Sequence, residues 1–195
     1  MINKPYHHGD LRNQLIETGI KLLSEEGVKD FSLRKVAANC GVSHTAPYSH
    51  FKNIEELSQA MGDYVTQKFI KKLRDSVEGI DDSSAAILML GESYISFFSE
   101  NPYYYQFLFY NSGITFDFDH GIESDYQPFN FFKDTAYRMF NDIGLAKEDY
   151  LNNLLALWSI VHGIVSLLTN KGVQYSGDWK KVLTDNIFMN RGKKY

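Results

Sequence analysis

Apolar side chains recur every three or four residues along most of the chain, which is the spacing of one face of an α-helix. The first apolar stripe runs from about Gly9 to Glu26, and Gly27 follows it, as is common at a helix C-terminus. Alternating strand patterns are scarce. The pattern therefore predicts an all-α fold with about nine helices.

Short helices with clear start and stop signals follow the first stripe. Ser32 is a suitable cap for a helix over Leu33–Cys40, and Gly41 ends it. Ser43 is placed to cap the next helix, His44–Phe51. Asn53 then begins a longer helix, with a glutamate three residues later as in a capping box.

The remaining helices are predicted with long apolar faces and a polar loop among them. Their expected ranges are 84–100, from 101 onward, 128–143, 147–171 and 179–191, with the loop over 111–127. The chain thus divides into a three-helix unit, residues 1–52, and a larger helical body, residues 53–195. Residues 53–75 would connect the two.

The segment from Leu33 to Phe51 has the order helix, glycine turn, helix that defines a helix-turn-helix. In that motif the second helix lies in the major groove of DNA and presents its first residues to base edges. Small residues at its start, such as Ser43 and Ala46, would let the backbone approach the duplex. Two short helices joined by a glycine also occur in proteins that do not bind DNA, so geometry alone leaves both interpretations open.

The side chains of this segment suit DNA contacts. His44 and Thr45 can hydrogen-bond base edges, and Tyr48, His50 and Lys52 stand where phosphate contacts are made. The full set of candidate DNA-binding residues is Ser32, Arg34, Ser43, His44, Thr45, Ala46, Tyr48, Ser49, His50 and Lys52.

Composition and charge narrow the function. The 195 residues are 44% hydrophobic, enough for a packed core, and the net charge of −4 argues against generic polyanion binding. Residues 1–52 carry seven basic and five acidic side chains, whereas residues 99–150 carry three and nine, which suggests parts with different partners. The single cysteine, Cys40, excludes an internal disulfide.

An enzyme is disfavoured. The six histidines include no pair at the i, i+4 spacing of a helical zinc site, and phosphate-binding and nucleophile-elbow motifs are absent from the sequence. No metal and no cofactor is expected. The N-terminus lacks a signal peptide, and residues 151–168 contain too many polar side chains for a good membrane span. A cytoplasmic protein is predicted.

Residues 17–61, ETGIKLLSEEGVKDFSLRKVAANCGVSHTAPYSHFKNIEELSQAM, resemble the N-terminal domain of TetR/AcrR-type transcriptional regulators. The resemblance implies that Ser32 contacts phosphate and that residues 43–46 face bases. It also implies that Tyr48, His50 and Lys52 contact the phosphate backbone. By the same resemblance, Val36, Cys40 and Phe51 are expected in the core.

A weaker resemblance lies in the rear part, where Trp158, His162 and Gly163 match the Trp-His-Gly motif of one subgroup of these regulators. A ligand contact is one interpretation of His162, and a buried histidine bonded to a neighbour is the other. The resemblance also implies a small-molecule effector pocket. Its candidate residues are Tyr94, Phe97, Phe98, Phe107, Tyr137, Trp158 and His162, whose aromatic faces would suit a cationic or aromatic compound.

The helix over 147–171 is apolar nearly all round, so it must be covered on more than one side. A second copy of the chain is the natural cover, with residues 179–191 joining the interface, although a helix central to its own domain would show the same pattern. A homodimer has two reading helices, which predicts a palindromic operator on double-stranded DNA. The sequence thus predicts a repressor released by an effector, or alternatively a helical binding module that has lost DNA binding.

Overall fold

The computed structural model describes residues 11–119 and 124–189. Within these ranges the chain forms eight α-helices and two short 3₁₀ helices, and no extended strand. The α-helices are α1 (Leu11–Glu26), α2 (Leu33–Asn39), α3 (Ile54–Val77), α4 (Ser83–Glu100), α5 (Pro102–Tyr110), α6 (Gln127–Asp142), α7 (Tyr150–Thr169) and α8 (Trp179–Met189). The all-helical prediction is confirmed. Residues 9, 10, 190 and 191 of the predicted first and last helices lie outside the described residues.

The chain divides into two compact units. The first consists of Met1–Gln67 with Tyr103–Ile114, and the second of Lys68–Pro102 with Thr115–Tyr195. Helix α3 therefore begins in the first unit and ends in the second, and most of α5 belongs to the first. The predicted division of roles, with DNA binding assigned to residues 1–52 and effector binding and dimerisation to residues 53–195, remains a prediction.

In the first unit α1 lies close to α3 because Gly19 has no side chain. A Cβ atom at that position would lie 2.8 Å from Met61 Sδ, and Leu57 and Phe31 are the next neighbours. The core around this contact consists of Leu15, Ile16, Ile20, Leu23, Leu33, Val36, Phe51, Leu57, Met61 and Val65. The apolar stripe predicted for the first helix is thus the face that this helix buries.

Local capping sets where α2 and α3 begin. The Lys35 N–H donates to Ser32 Oγ at 3.3 Å. The Glu56 N–H donates to Asn53 Oδ1 at 2.9 Å, and the Glu56 carboxylate accepts the Lys52 N–H at 2.6 Å. This is the predicted capping box, with Lys52 rather than Asn53 as the returning donor.

One carboxylate joins three helices of the first unit. Glu17 Oε1, on α1, accepts the hydroxyl of Tyr64 on α3 at 2.5 Å and that of Tyr104 on α5 at 2.6 Å. Tyr103 adds a bond from its hydroxyl to Glu25 Oε1 at 2.7 Å. Hydrogen bonds to an ionised group are stronger than neutral ones, so these contacts fix α5 against α1.

The second unit is built around α4, which buries one side against α6, α7 and α8. Its buried side chains include Ile87, Leu90, Tyr94, Phe97 and Phe98. Asp82 caps the helix through the Ala85 N–H at 2.7 Å. A Cβ atom on Gly91 would lie 3.1 Å from Leu183 Cδ2 and 3.5 Å from Val161 Cγ1, so this glycine sets how closely α4 meets α8 and α7.

The helix predicted over His44–Phe51 is wrong in kind. The structure has a 3₁₀ helix at Ala46–Ser49, with successive bonds from Ala46 N to Ser43 O, from Tyr48 N to Thr45 O and from His50 N to Pro47 O. Pro47 has no N–H and cannot make the α-helical bond at its position, which favours the tighter turn. Ser43, expected as a cap, instead pairs its Oγ with Thr45 Oγ1 at 3.1 Å.

The placement of Cys40 in the core is also wrong. Cys40 is half-buried, and its Sγ lies 3.2 Å from Thr18 Oγ1 and 3.7 Å from the Gln14 carbonyl oxygen. It follows α2 directly, where Gly41 reverses the chain with φ +70°. The side chain therefore sits at the edge of the α1–α2 contact, where polar partners are within reach.

The close approach of α4 and α8 yields a test. The Gly91→Val substitution should lower the free energy of unfolding by about 1–3 kcal/mol relative to Gly62→Val, because overpacking strains a filled core. Gly62 is the matched helical control, since a Cβ there meets nothing within 4 Å. Urea denaturation measures both variants. Equal stabilities would contradict the described packing around Gly91.

Candidate functional site

Most side chains of the segment from Ser43 to Ser49 are exposed to solvent. Ser43, His44, Thr45 and Ser49 are exposed, and Tyr48 is 56% exposed. A tyrosine ring that stays so open is available to a partner. The residues with base-reading and phosphate-binding chemistry are thus displayed together on one short stretch.

Buried neighbours hold this exposed segment in place. Pro47 is buried inside the 3₁₀ helix, and Phe51 directly after it is 1% exposed. The Arg12 guanidinium lies 5.3 Å from the centre of the Phe51 ring, a cation–π contact from α1. His50 is half-buried between the exposed and buried positions. The segment therefore has a rigid underside and a free outer face.

Polar and basic groups flank the segment on α2 and at the start of α3. Arg34 and Lys52 are exposed, and Ser32 and Ala46 are half-buried. The Ser32 hydroxyl accepts the Lys35 N–H and can still donate its own hydrogen, which is what a phosphate contact needs. All ten candidate DNA-binding residues lie in the first unit.

The candidate effector residues are divided by the structure. Phe107 is 1% exposed in the first unit, whereas the other six belong to the second. Tyr94, Phe97 and Phe98 pack around Phe69, with ring centres 4.7–5.4 Å from it. Tyr137 lies in another aromatic group, 5.0 Å from the Tyr150 ring.

Trp158 belongs to an aromatic cluster, hereafter the ring cluster, formed with Phe116, Phe118 and Phe129. Ring centres within it are 4.6 Å apart for Phe116 and Trp158 and 5.1 Å apart for Phe129 and Trp158. Phe116 and Phe118 were not among the sequence candidates, although two phenylalanines at alternate positions of a polar loop were a signal that could have marked them.

His162 borders the ring cluster, with its ring centre 4.8 Å from that of Trp158. Its Nδ1 is 2.5 Å from the Tyr94 hydroxyl oxygen. Burial lowers the pKa of His162 to about 4, so the imidazole is neutral at neutral pH. His162 is thus half-buried and hydrogen-bonded to a neighbour, and a ligand contact by the same side chain remains a prediction.

Both parts of the chain match models of one protein family. Residues 15–61 match the model described as bacterial regulatory proteins, tetR family, and residues 87–187 match the tetracyclin repressor-like C-terminal domain. The second match alone covers more than half of the chain. The chain belongs to the tetR family of bacterial regulatory proteins.

A curated relative of this tetR-family protein is the HTH-type nicotine-responsive transcriptional repressor HdnoR of Paenarthrobacter nicotinovorans. The two are 33% identical over 76 residues, which is 39% of each protein. The matched stretch thus spans well under half the length of that relative.

Solved structures share the fold at low sequence identity. A TetR-like regulator from Rhodococcus sp. RHA1 has a TM-score of 0.71 at 14% identity, over 98% of this chain and 100% of that one. The fatty acid degradation regulator FadR from Bacillus halodurans has a TM-score of 0.69 at 14% identity, over 98% of both chains. These likenesses show that the fold of the described residues is shared with these two regulators over 98% of the chain. The Trp-His-Gly subgroup stays a prediction.

Burial of His162 predicts a pH-dependent stability. Because the folded-state pKa is lowered, the unfolded chain takes up the proton first, and stability is lost as the pH falls from about 6.5 to about 4. Such a pKa difference corresponds to roughly 3 kcal/mol. Wild type should lose up to that much more than His162→Gln over this range, measured by urea denaturation. His44→Gln, at an exposed position, is the matched control, and parallel curves for wild type and His162→Gln would contradict the assignment.

Proposed function

We propose that this tetR-family protein is a DNA-binding transcriptional repressor that binds a palindromic operator as a homodimer and is released by a small-molecule effector. The observation that carries the proposal is the exposed 43–49 segment on its buried base, within the part that matches the family model. The relative HdnoR is itself named as a repressor, which supports repression over activation. A cytoplasmic location follows from this function.

The proposed contacts divide into two kinds. Ser43, His44, Thr45 and Ala46 face base edges, where hydroxyls, a ring nitrogen and a methyl can distinguish base pairs. Ser32, Arg34, Tyr48, His50 and Lys52 contact phosphates, together with Ser49 at the rim of the segment.

Salt-dependent DNA binding tests the phosphate contacts. Lys52→Ala should weaken binding to all sequences by a similar factor and reduce the log-log salt slope by about 1, since each phosphate contact contributes about −0.9. Gel shifts with DNA selected from a random pool measure both. Lys71→Ala is the control, because Lys71 is exposed on the part of α3 in the second unit and pairs with Asp75.

In the same assay Thr45→Ala should change the preferred sequence rather than the overall affinity. If wild type selects no sequence and shows no salt dependence, the alternative of a helical binding module without DNA binding is favoured instead.

The proposed dimer rests on the outer face of α7. An 18-residue window within Lys147–Thr169 has a mean hydropathy of 1.6, yet only 22% of that window is buried. Exposed positions recur at Ala156, Ser159, Gly163 and Ser166, and small residues on one face allow two helices to approach closely. A groove of about 430 Å³ beside this face is lined from α6, α7 and α8. A second copy of the chain, seated on α7 and α8, accounts for this surface.

Length and composition would also let this helical stretch, alone among the described residues, span a membrane, a property that core helices of soluble proteins share. The expectation that it does not do so remains a prediction. The family match supports the dimer instead, since it includes α7 and most of α8.

Sedimentation at micromolar concentration tests the dimer. Wild type should sediment as a dimer, and Ala156→Glu should shift the equilibrium to monomer, because a buried unpaired charge opposes association. Ala156 is exposed in the single chain and lines the groove, so the substitution leaves the monomer core intact. Ala85→Glu, at an exposed position of α4, is the matched control. A wild-type monomer would overturn the proposed dimer.

The proposed release is a shift between two conformations. An effector that binds one of them better increases its population, and the two reading segments of the dimer no longer match half-sites about 34–36 Å apart. We propose that helix α3 transmits this conformational change, because it runs without a break from the first unit into the second.

A further inference from the structure

Tyr126, the residue before α6, has a buried hydroxyl that makes no hydrogen bond to the described residues. The side chain is 8% exposed, and in the described part of the chain its hydroxyl oxygen has no hydrogen-bond partner. It does not cap α6, whose N-terminus receives no side-chain bond from it. Burying a hydroxyl without a partner is unfavourable, and nearly all buried polar groups avoid it.

The Tyr126 ring stands beside the ring cluster. It meets Phe116 edge-on with ring centres 6.1 Å apart, and Phe116 lies 4.6 Å from Trp158. Phe116, Phe118 and Trp158 are all half-buried, so the cluster is not sealed. The Tyr126 side chain therefore packs at the edge of an apolar, ring-lined region that is partly open to solvent.

A second unpaired atom lies one helical turn further on. Asn130 donates its Nδ2 to the Ser124 carbonyl at 2.6 Å, but its buried Oδ1 has no partner within the described residues. Asn130 lines a cavity of about 510 Å³, a volume typical of ligand sites. Thr115 and Asp117 line the same cavity, while Phe116 and Phe118 between and after them join the ring cluster. Side chains at alternate positions of this loop thus line the cavity or join the ring cluster.

We propose that Tyr126 is an effector-binding residue, and that its hydroxyl hydrogen-bonds a neutral aromatic molecule that packs against the half-buried rings of Phe116, Phe118 and Trp158. The inference rests on the proposed effector-regulated function and names the ligand class. A ligand ring gains aromatic contacts there, and its acceptor pairs with the hydroxyl that has no partner among the described residues.

A neutral ligand fits the charges of the site. Tyr94, Tyr126 and His162 are the titratable groups at the ring cluster among the described residues, and burial keeps both Tyr126 and His162 uncharged by raising the pKa of the phenol and lowering that of the imidazole. A charged ligand would lose its hydration there without a counter-ion. The adjoining cavity is lined by the carboxylates of Asp117 and Asp125 and by the ammonium of Lys133, so charges of both signs are already present there.

The Tyr126→Phe variant of the full chain separates this role from a structural one. Since phenylalanine fills the same space without the hydroxyl, the free variant should melt roughly 2–4 °C above wild type. The probes are acetophenone, which is neutral with an acceptor, and ethylbenzene, which has none, each at about 5 mM because small fragments bind near the millimolar range.

Acetophenone should stabilise wild type, and Tyr126→Phe should bind it about 3- to 10-fold more weakly, the loss of one hydrogen bond. Ethylbenzene should bind both proteins equally. Tyr110→Phe is the matched control, because Tyr110 is 65% exposed in the first unit, and it should change neither the melting temperature nor the binding.

The inference is overturned if Tyr126→Phe melts below wild type, if acetophenone does not bind wild type, or if both proteins bind it equally. It is also overturned if benzoate or benzyltrimethylammonium binds more tightly than acetophenone, since the site then takes an ion. These outcomes are independent of DNA binding. If wild type binds acetophenone through Tyr126 but selects no DNA sequence, the proposed ligand site stands and the proposed repressor function is overturned.

Discussion

The burial of Phe51 and Pro47 is the constraint on which the exposed segment 43–49, the proposed DNA-contact surface, depends. Both side chains are removed from water directly beneath or beside residues that remain open, and α1 and α3 supply the core that holds Phe51. Packed interiors resist displacement, so a short 3₁₀ turn keeps a fixed direction that it could not keep alone. The exposed hydroxyl, imidazole and phenol groups of this segment therefore also keep a fixed direction. The proposed recognition of a DNA duplex requires such a fixed direction.

Local signals explain how much of the fold could be predicted. Helix periodicity and the caps at Ser32 and Asn53 act over a few residues, so the sequence alone indicates α1, α2 and α3 closely. The 3₁₀ helix was missed because a proline is tolerated in the first turn of an α-helix, and only the whole run of backbone bonds decides between the two. Cys40 was misplaced because depth within a contact is not a local property.

The candidate effector residues are dispersed in the structure, whereas the candidate DNA-binding residues lie close together along the chain. Residues 43–52 are contiguous, and their chemistry can be read along the chain. The ring cluster joins residues from a loop, α6 and α7. The neighbouring Tyr126 hydroxyl has no partner among the described residues, and only the folded structure reveals this. The candidates Trp158 and His162 do meet there, whereas Phe107 and Tyr137 lie in other groups. Contacts of this kind carry no periodic signal in sequence.

The double acceptance at Glu17 has a consequence for the modularity of the protein. One oxygen of this carboxylate takes the hydroxyls of Tyr64 and Tyr104, and Tyr104 arrives from a stretch of chain almost ninety positions downstream. The part that contains the helix-turn-helix is therefore not a detachable N-terminal cassette. A chain truncated after α3 would lose the hydrogen bond from Tyr104 to Glu17 and would expose the apolar surface that α5 covers. Transferring the helix-turn-helix part to another protein would therefore require both stretches of the chain.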